Sequence, residues 1–495
     1  MSQDVNIGSG NGARGRQRGA IAIVFGLMLA CLIGFVGIAL DLGRVYNRRA
    51  DLQAVANVAA LTAARQLNGT VAGINNATTQ ALVAMNALKY QYNRLPIAWD
   101  EQALSFSASP NGGWVDADTA RGAPDGLTYV RAATGSLDAS MGHVELFFLR
   151  VLSESLASMD VGVVAVAGRS TIDVAPLAVC ALSNSEAAPR ANPNPPANVE
   201  LVQYGFRRGV AYDLMQLNPG GTGAENFVID PFSPPGVAGV AANIAPGLVG
   251  PYVCTGQLGM PRVSGGALTV GRPFPLASLF NQLNSRFDQY TGALCSYATA
   301  PPDTNIRQYA FGAAGSGTPW MSVAPAGQVA QSTTVDGKLW TVADPLPQPA
   351  GTTGPMYGPL WAYARAVPYS SYVAGAAEPA AGYTAFHTSA WGTLYGPGAP
   401  TATASYPGGS STPYRAASGA NFQAPPLAHK GAAGRRVLNV ALLSCPVPAG
   451  ALSTATVLGI GKFLMTVPAT ATSVHAEFGG LVAEQSLGGA VELYP

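Results

Sequence analysis

Side chains able to do chemistry are few in this chain of 495 residues, and they are scattered. The four histidines, His143, His387, His429 and His475, have no spacing that would set two of them on one helix face or around one metal ion. The sequence contains no G-x-S-x-G nucleophile elbow, no H-E-x-x-H zinc helix and no G-x-x-x-x-G-K-[ST] phosphate loop. "GIGKF", Gly459 to Phe463, offers a Gly-Lys pair, but phenylalanine stands where a magnesium-binding hydroxyl belongs. "DADTARGAPDG", Asp116 to Gly126, alternates acids like a calcium loop, yet Arg121 replaces the turn glycine and no closing glutamate follows. It reads as a polar turn. The expectation is a non-enzymatic protein with no cofactor, no metal and no small-molecule substrate.

Cysteine oxidation is the remaining chemistry. Cys31 lies in a greasy run, which leaves Cys180, Cys254, Cys295 and Cys445. Their spacing matches no zinc module and no C-x-x-C redox pair. They suit an oxidising compartment and up to two disulfides, with buried free thiols as the alternative. Three connectivities are open. The shorter loop favours Cys254–Cys295, and Cys180–Cys445 would then clasp two similar apolar runs, "VAPLAVCAL" and "NVALLSCPV".

The elements that must carry these residues begin with a membrane segment. Ala20 to Leu40 holds no charge, and at 1.5 Å per residue it makes roughly 31 Å of helix, the thickness of a hydrocarbon core. It is longer than a signal-peptide core, and no small-x-small site follows it. Arginines flank both ends: Arg14, Arg16 and Arg18 before, Arg44, Arg48 and Arg49 after, the latter offset by Asp41 and Asp51. Charge alone therefore leaves the orientation tied. Past Asp41 the helical pattern runs on as a stalk to about Leu67, rich in alanines that would let another backbone approach. Asn68-Gly69 interrupts it, and a second helix follows from about Asn75 to Asn93.

The stretch "RQRGAIAIVFGLMLACLIGFVGIALDLGRVYNRRADLQAVANVAALTAA" resembles the N-terminal module of TadG-like proteins of Flp (tight adherence) pilus assembly. The shared features are Arg18-Gly19, Gly37 through Asp41-Leu42-Gly43-Arg44, and Leu52-Gln53. The resemblance implies a bacterial inner-membrane protein crossing once, with residues 1–19 cytoplasmic and the body periplasmic. Its implied partners are other pilus-assembly membrane proteins and membrane lipid. Arg18, Asp41, Arg44, Arg48 and Arg49 are candidate membrane-interface residues, with Asp41 and Arg44 one turn apart and able to pair. Related TadE-type pseudopilins carry glutamate at the fifth position after a cleavage-site glycine. With Gly19 as that glycine, Val24 stands there instead, which favours a permanent anchor over a processed subunit. Some TadG-like proteins also carry a D-x-S-x-S metal motif; the nearest run here, Asp138-Ala-Ser140-Met-Gly142, lacks its last serine.

The rest reads as α+β. Residues 97–183 form a small pilin-like α/β module in which "HVELFFLRVLSESLASM" places Val144, Phe147, Phe148, Val151 and Leu152 on one helical face. Residues 184–198, "NSEAAPRANPNPPAN", read as a linker, and 199–495 as a β-rich, loop-heavy, sandwich-like domain. This follows the tail (1–19), the membrane helix (20–40) and the helical stalk (41–96). A tyrosine-dense stretch from Tyr357 to Tyr414, with Trp361 and Trp391, suits either core filling or a sticky recognition surface. Charged residues are 11% of the chain and the net charge is +1, so no basic field would hold nucleic acid. The expected role is anchoring or scaffolding of pilus assembly at the inner membrane. A surface-reaching adhesin or minor pilus subunit is the alternative.

Overall fold

The computed structural model describes residues 17–90, 94–191, 198–217, 224–309, 332–335, 338–341, 358–359, 361–376, 378–379, 381–394, 406–407 and 411–494. It falls into two compact units, Met1–Gly168 with Glu492–Pro495, and Arg169–Val491, called here the head and the body.

The head is organised by one helix, α1, Gln17–Ala64, 48 residues long. No proline interrupts it, and its second half is rich in alanine, leucine and arginine, which lose little on entering a helix. It ends before Gly69, whose φ of +69° only glycine adopts without strain. A second helix, α2, Val71–Ala87, starts where the Thr70 hydroxyl accepts a hydrogen bond from the Gly73 N–H. It stops short of the expected Asn93 because Lys89–Tyr90 turns into a strand pair with Leu95–Pro96.

The alanine stripe has a use within the chain. Ala56, Ala59, Ala60 and Ala63 of α1 and Ala77 and Ala81 of α2 are fully buried. Their size lets α1 lie close on α2 and on strand Tyr129–Ala133. The stalk expected to stand exposed is therefore covered by its own head on this face. A four-stranded sheet, in the order Val491–Tyr494, Val164–Arg169, Tyr129–Ala133 and Leu104–Ser107, backs the helices. Phe106, Val130, Ala132 and Ala167 of that sheet are buried.

One expectation about the head is overturned. Residues 143–159 do not form an amphipathic helix. His143–Glu145 pairs antiparallel with Ser158–Asp160, and between them lie only a single helical turn, Leu149–Leu152, and a 3-10 turn, Glu154–Leu156. Of the apolar face read from the sequence only Val144 is buried, and Phe147, Phe148, Val151 and Leu152 are exposed.

In the body, strands pair in the order Ala267–Gly271, Asn226–Ile229, Leu177–Cys180, Val437–Leu443, Leu452–Met465, His475–Val482, Val210–Asp213 and Gly358–Pro359. The first strand also pairs with Leu452–Met465, from Ala267 opposite Thr456 to Gly271 opposite Leu452. That contact closes the first five strands into a ring. Small rings have room only for side chains, and Ala178, Phe227, Ile229, Leu268, Val270, Ala441 and Leu443 form one buried cluster. Alternation sends their neighbours Leu177, Val179, Val228, Val440 and Leu442 to a second cluster. There they meet Val249 and Val253 of helix Pro246–Thr255 and Leu279 and Leu283 of helix Leu276–Asn284.

The division of the chain differs from the expected boundaries. Strand Leu177–Cys180 lies in the body's ring, so the unit edge falls at Gly168/Arg169 and not after 183. Of the expected linker 184–198, Ala188–Ala191 pairs antiparallel with Val199–Gln203 inside the body, and residues 192–197 lie outside the described residues.

Candidate functional site

The residues singled out at the membrane end of α1 converge on one task. Asp41, Arg44 and Arg48 are spaced by three and four residues, which puts them on one face of the helix. Segment 141–149 descends beside that face. Arg48 Nη1 donates to the Met141 carbonyl at 2.5 Å and Arg44 Nη1 to the Glu145 carbonyl at 3.4 Å. At the lower end the Asp41 carboxylate accepts three backbone N–H groups, from Phe147 at 3.1 Å and from Phe148 and Leu149 at 2.8 Å each. The two guanidinium groups also lie over aromatic rings, Arg44 over Phe147 at 4.5 Å and Arg48 over Tyr90 at 5.2 Å.

Asp41 is thus a buried carboxylate, 1% exposed, satisfied by main-chain donors. Charged acceptors make the stronger hydrogen bonds, and a buried carboxylate without such partners would be costly. The expected pairing with Arg44 is not seen among the described residues; both Asp41 oxygens are occupied by the 147–149 turn. Four residues earlier, Gly37 permits the same turn to close. A Cβ there would lie 2.5–2.7 Å from three atoms of Phe148, so only glycine admits the ring. Higher up, Gln53 Nε2 donates to the Val164 carbonyl at 3.2 Å, tying α1 to the sheet, while the neighbouring Leu52 is buried. Arg49 is exposed and joins none of these contacts among the described residues. The Arg18 side chain lies outside the described residues.

The other residues considered for chemistry are spent on structure. Asp116 caps helix Ala117–Gly122 through the Thr119 N–H, and Arg121 bridges Asp118 and Glu101 at 2.7 and 2.9 Å. Asp138 caps the turn Ala139–Gly142 through the Ser140 N–H. His143 meets Asp160 at 3.0 Å, His429 meets Asp288 at 2.6 Å, and His387 meets Ser389 at 3.1 Å. His475 is held in the body, where burial pushes its imidazole below the usual range. Lys462, from "GIGKF", sits in strand Leu452–Met465, and burial likewise lowers its ammonium.

The body cysteines form two bonds, Cys180–Cys445 and Cys254–Cys295, with S–S distances of 2.02 and 2.07 Å. The first links parallel neighbours, since Leu443 lies opposite Cys180 and Cys445 follows two residues on. Cys180, Glu225 and Cys445 are the one group of metal-capable side chains brought together among the described residues, and both sulfurs there are already bonded to each other. Of the tyrosine-dense stretch, Trp361 and Tyr406 are core residues, and Tyr363 and Tyr414 pack against the same core. Tyr369 and Tyr372 stack on each other at 6.3 Å. Tyr357 and Tyr395, and the Trp391 side chain, lie outside the described residues.

Nothing in the α1 site is arranged for bond making. What the head defines is a class: a small α/β domain locked through a charged helical face to a helix long and apolar enough to cross a membrane. Residues 19–66 match a family model described as "Putative Flp pilus-assembly TadE/G-like". The chain thus carries a TadE/G-like module, and Asp41, Arg44, Arg48 and Gln53 all fall within it. No curated protein and no solved structure matches the chain. The module supports involvement in Flp/Tad pilus assembly. The segment it grips, 141–149, lies beyond the match, and no local pattern in the sequence marks it as the partner.

Proposed function

We propose that this protein is a non-enzymatic, single-pass component of a Flp/Tad-type pilus system, anchoring or scaffolding assembly at the bacterial inner membrane through protein–protein contacts. In this reading residues 1–19 are cytoplasmic, α1 crosses the membrane once, and head and body face the periplasm. One observation carries it: the charged face of the TadE/G-like module fastens a folded head to the end of an apolar helix. A head held by four side chains along α1, Asp41, Arg44, Arg48 and Gln53, transmits position relative to the membrane, which is what an anchor must do. The two disulfides of the body suit a compartment outside the reducing cytoplasm.

Deleting the gene should reduce piliation and surface attachment, and restoring the full chain should recover both. Normal pili and normal attachment in the deletion strain would sink the proposal. Protease added to intact cells should leave the body uncut, whereas a surface-reaching adhesin would be cleaved.

A further inference from the structure

The turn that Asp41 grips presents an apolar surface left exposed among the described residues. Between residues 147 and 156, Phe147 is 57% exposed, Val151 85% and Leu152 67%, with Phe148 and Leu156 also exposed. An apolar cluster of this kind on a soluble surface is unusual and marks a contact. Its position says with what. The 147–149 amides are held by Asp41, the first residue after the uncharged run 20–40, and the Phe148 ring lies on Gly37, inside that run. From Asp41 to Gly37 is four residues, or about 6 Å along the helix axis. That is the depth, 5–10 Å, at which interfacial apolar side chains rest between headgroups and acyl chains.

We infer that residues 147–156 form a foot embedded in the leaflet from which α1 emerges, so that the head touches lipid at a second place beside its spanning helix. The patch is continuous with the lipid-facing side of α1: Val36 and Leu40 are exposed on the helix just below it. The charges near it are arranged for an interface. Arg44, above it on α1, and Arg150, within the turn itself, are exposed, and such long side chains lay their stems on apolar surface while the guanidinium reaches for lipid phosphates. Glu154, exposed on the returning side, is the acid within the foot.

The inference rests on α1 spanning the membrane, and the test separates the two. The full chain carrying Cys31→Ser, with Val151→Cys, Leu152→Cys or Val36→Cys added singly, is labelled with an environment-sensitive fluorophore. It is then placed in nanodiscs of phosphatidylethanolamine and phosphatidylglycerol. All three positions are exposed, so the label perturbs no packing. With the foot in lipid, labels at 36, 151 and 152 all lose intensity to brominated acyl chains and resist aqueous iodide. If 36 is quenched by bromolipid while 151 and 152 are quenched by iodide, α1 spans and the foot is refuted. Labels at 151 and 152 silent to both quenchers place the patch under protein, which also refutes lipid as its occupant. Iodide quenching at 36 removes the spanning helix and the foot together.

Discussion

Replacing Asp41 by alanine tests the lock directly. The carboxylate receives three N–H groups, from Phe147, Phe148 and Leu149, and is itself almost wholly buried. Hydrogen bonds to a charged group are each worth roughly 1.5–3 kcal/mol when the freed partner stays dry. The turn lies at the level of the lipid headgroups, whose phosphate and ester oxygens and bound water can accept from some of the released amides, so the net loss belongs at the low end, about 3 kcal/mol in all. At 1.4 kcal/mol per tenfold, that is on the order of a hundredfold in the opening equilibrium of the turn. Hydrogen–deuterium exchange of the full chain in nanodiscs reads this from peptides covering 141–152. They should exchange on the order of a hundredfold faster in Asp41→Ala, by the same estimate. Peptides covering strands Leu104–Ser107 and Tyr129–Ala133 should keep their protection, because the buried alanine stripe still holds the sheet. Asp41→Asn keeps the volume and one acceptor oxygen but turns an N–H donor toward the turn, and should fall between. Unchanged exchange at 141–152 in Asp41→Ala would refute the view that this carboxylate fastens the head.

Two further predictions concern the body. Glu477 accepts the N–H groups of Ala362, Tyr363 and Ala364, yet full burial pushes its carboxyl up to about 7 against an ordinary 4.5. A raised folded pKa means stability that is complete below pH 4.5 and lost as pH climbs to about 7. That loss amounts to about 3 kcal/mol. Urea midpoints at pH 4.5 and pH 8 should diverge for the native chain more than for Glu477→Gln, and equal divergence would remove Glu477 as the cause. For the cysteines, alkylation of the unreduced native chain should modify Cys31 alone. Replacing both Cys254 and Cys295 by alanine opens a loop of 41 residues and should cost about 4 kcal/mol. Alkylation of all the body cysteines without reductant would contradict the two bonds.

How much of this was legible depended on whether local pattern and tertiary context agreed. The α1 helix was readable because an uncharged run and a helical period follow each other without a breaker. Short strands such as Asn226–Ile229, Ala267–Gly271 and His475–Val482 have β-branched or aromatic residues between turn residues, the pattern behind the β-rich reading of 199–495. The longest strand, Leu452–Met465, does not show it: "STATVLGIGKF" mixes small residues and glycines, and only pairing on two sides makes it a strand. Helix Pro246–Thr255 carries Pro246 and Pro251, and only Leu248 among its other residues is a strong helix former, so its buried face decides its form. Segment 143–159 shows the opposite failure. Its period fits a core-facing helix, but hairpin pairing and the Asp41 cap override it, burying Val144 and Leu146 and leaving Phe147, Phe148, Val151 and Leu152 outside. The charged residues after the membrane run stand out in the sequence as membrane-interface candidates. Their partners, a hundred residues away, do not, because main-chain carbonyls and amides leave no trace in side-chain identity.

The entry and exit of the body are joined to each other. Ser170 N–H donates to the Ala490 carbonyl at 2.9 Å, and Ala490 N–H donates to Thr171 Oγ1 at 2.8 Å. The strands on either side, Val164–Arg169 and Val491–Tyr494, are neighbours in the head's sheet. The body is therefore a cassette set between two adjacent strands, the arrangement in which domain insertion is tolerated. During synthesis the head waits: α1, α2 and three strands are made first, but the fourth strand follows only after the whole cassette. A cassette that folds promptly brings Arg169 and Val491 together and reduces a very long loop closure to a short one. One that folds slowly leaves strand Val164–Arg169 as an open edge, where another chain's strand could add to it.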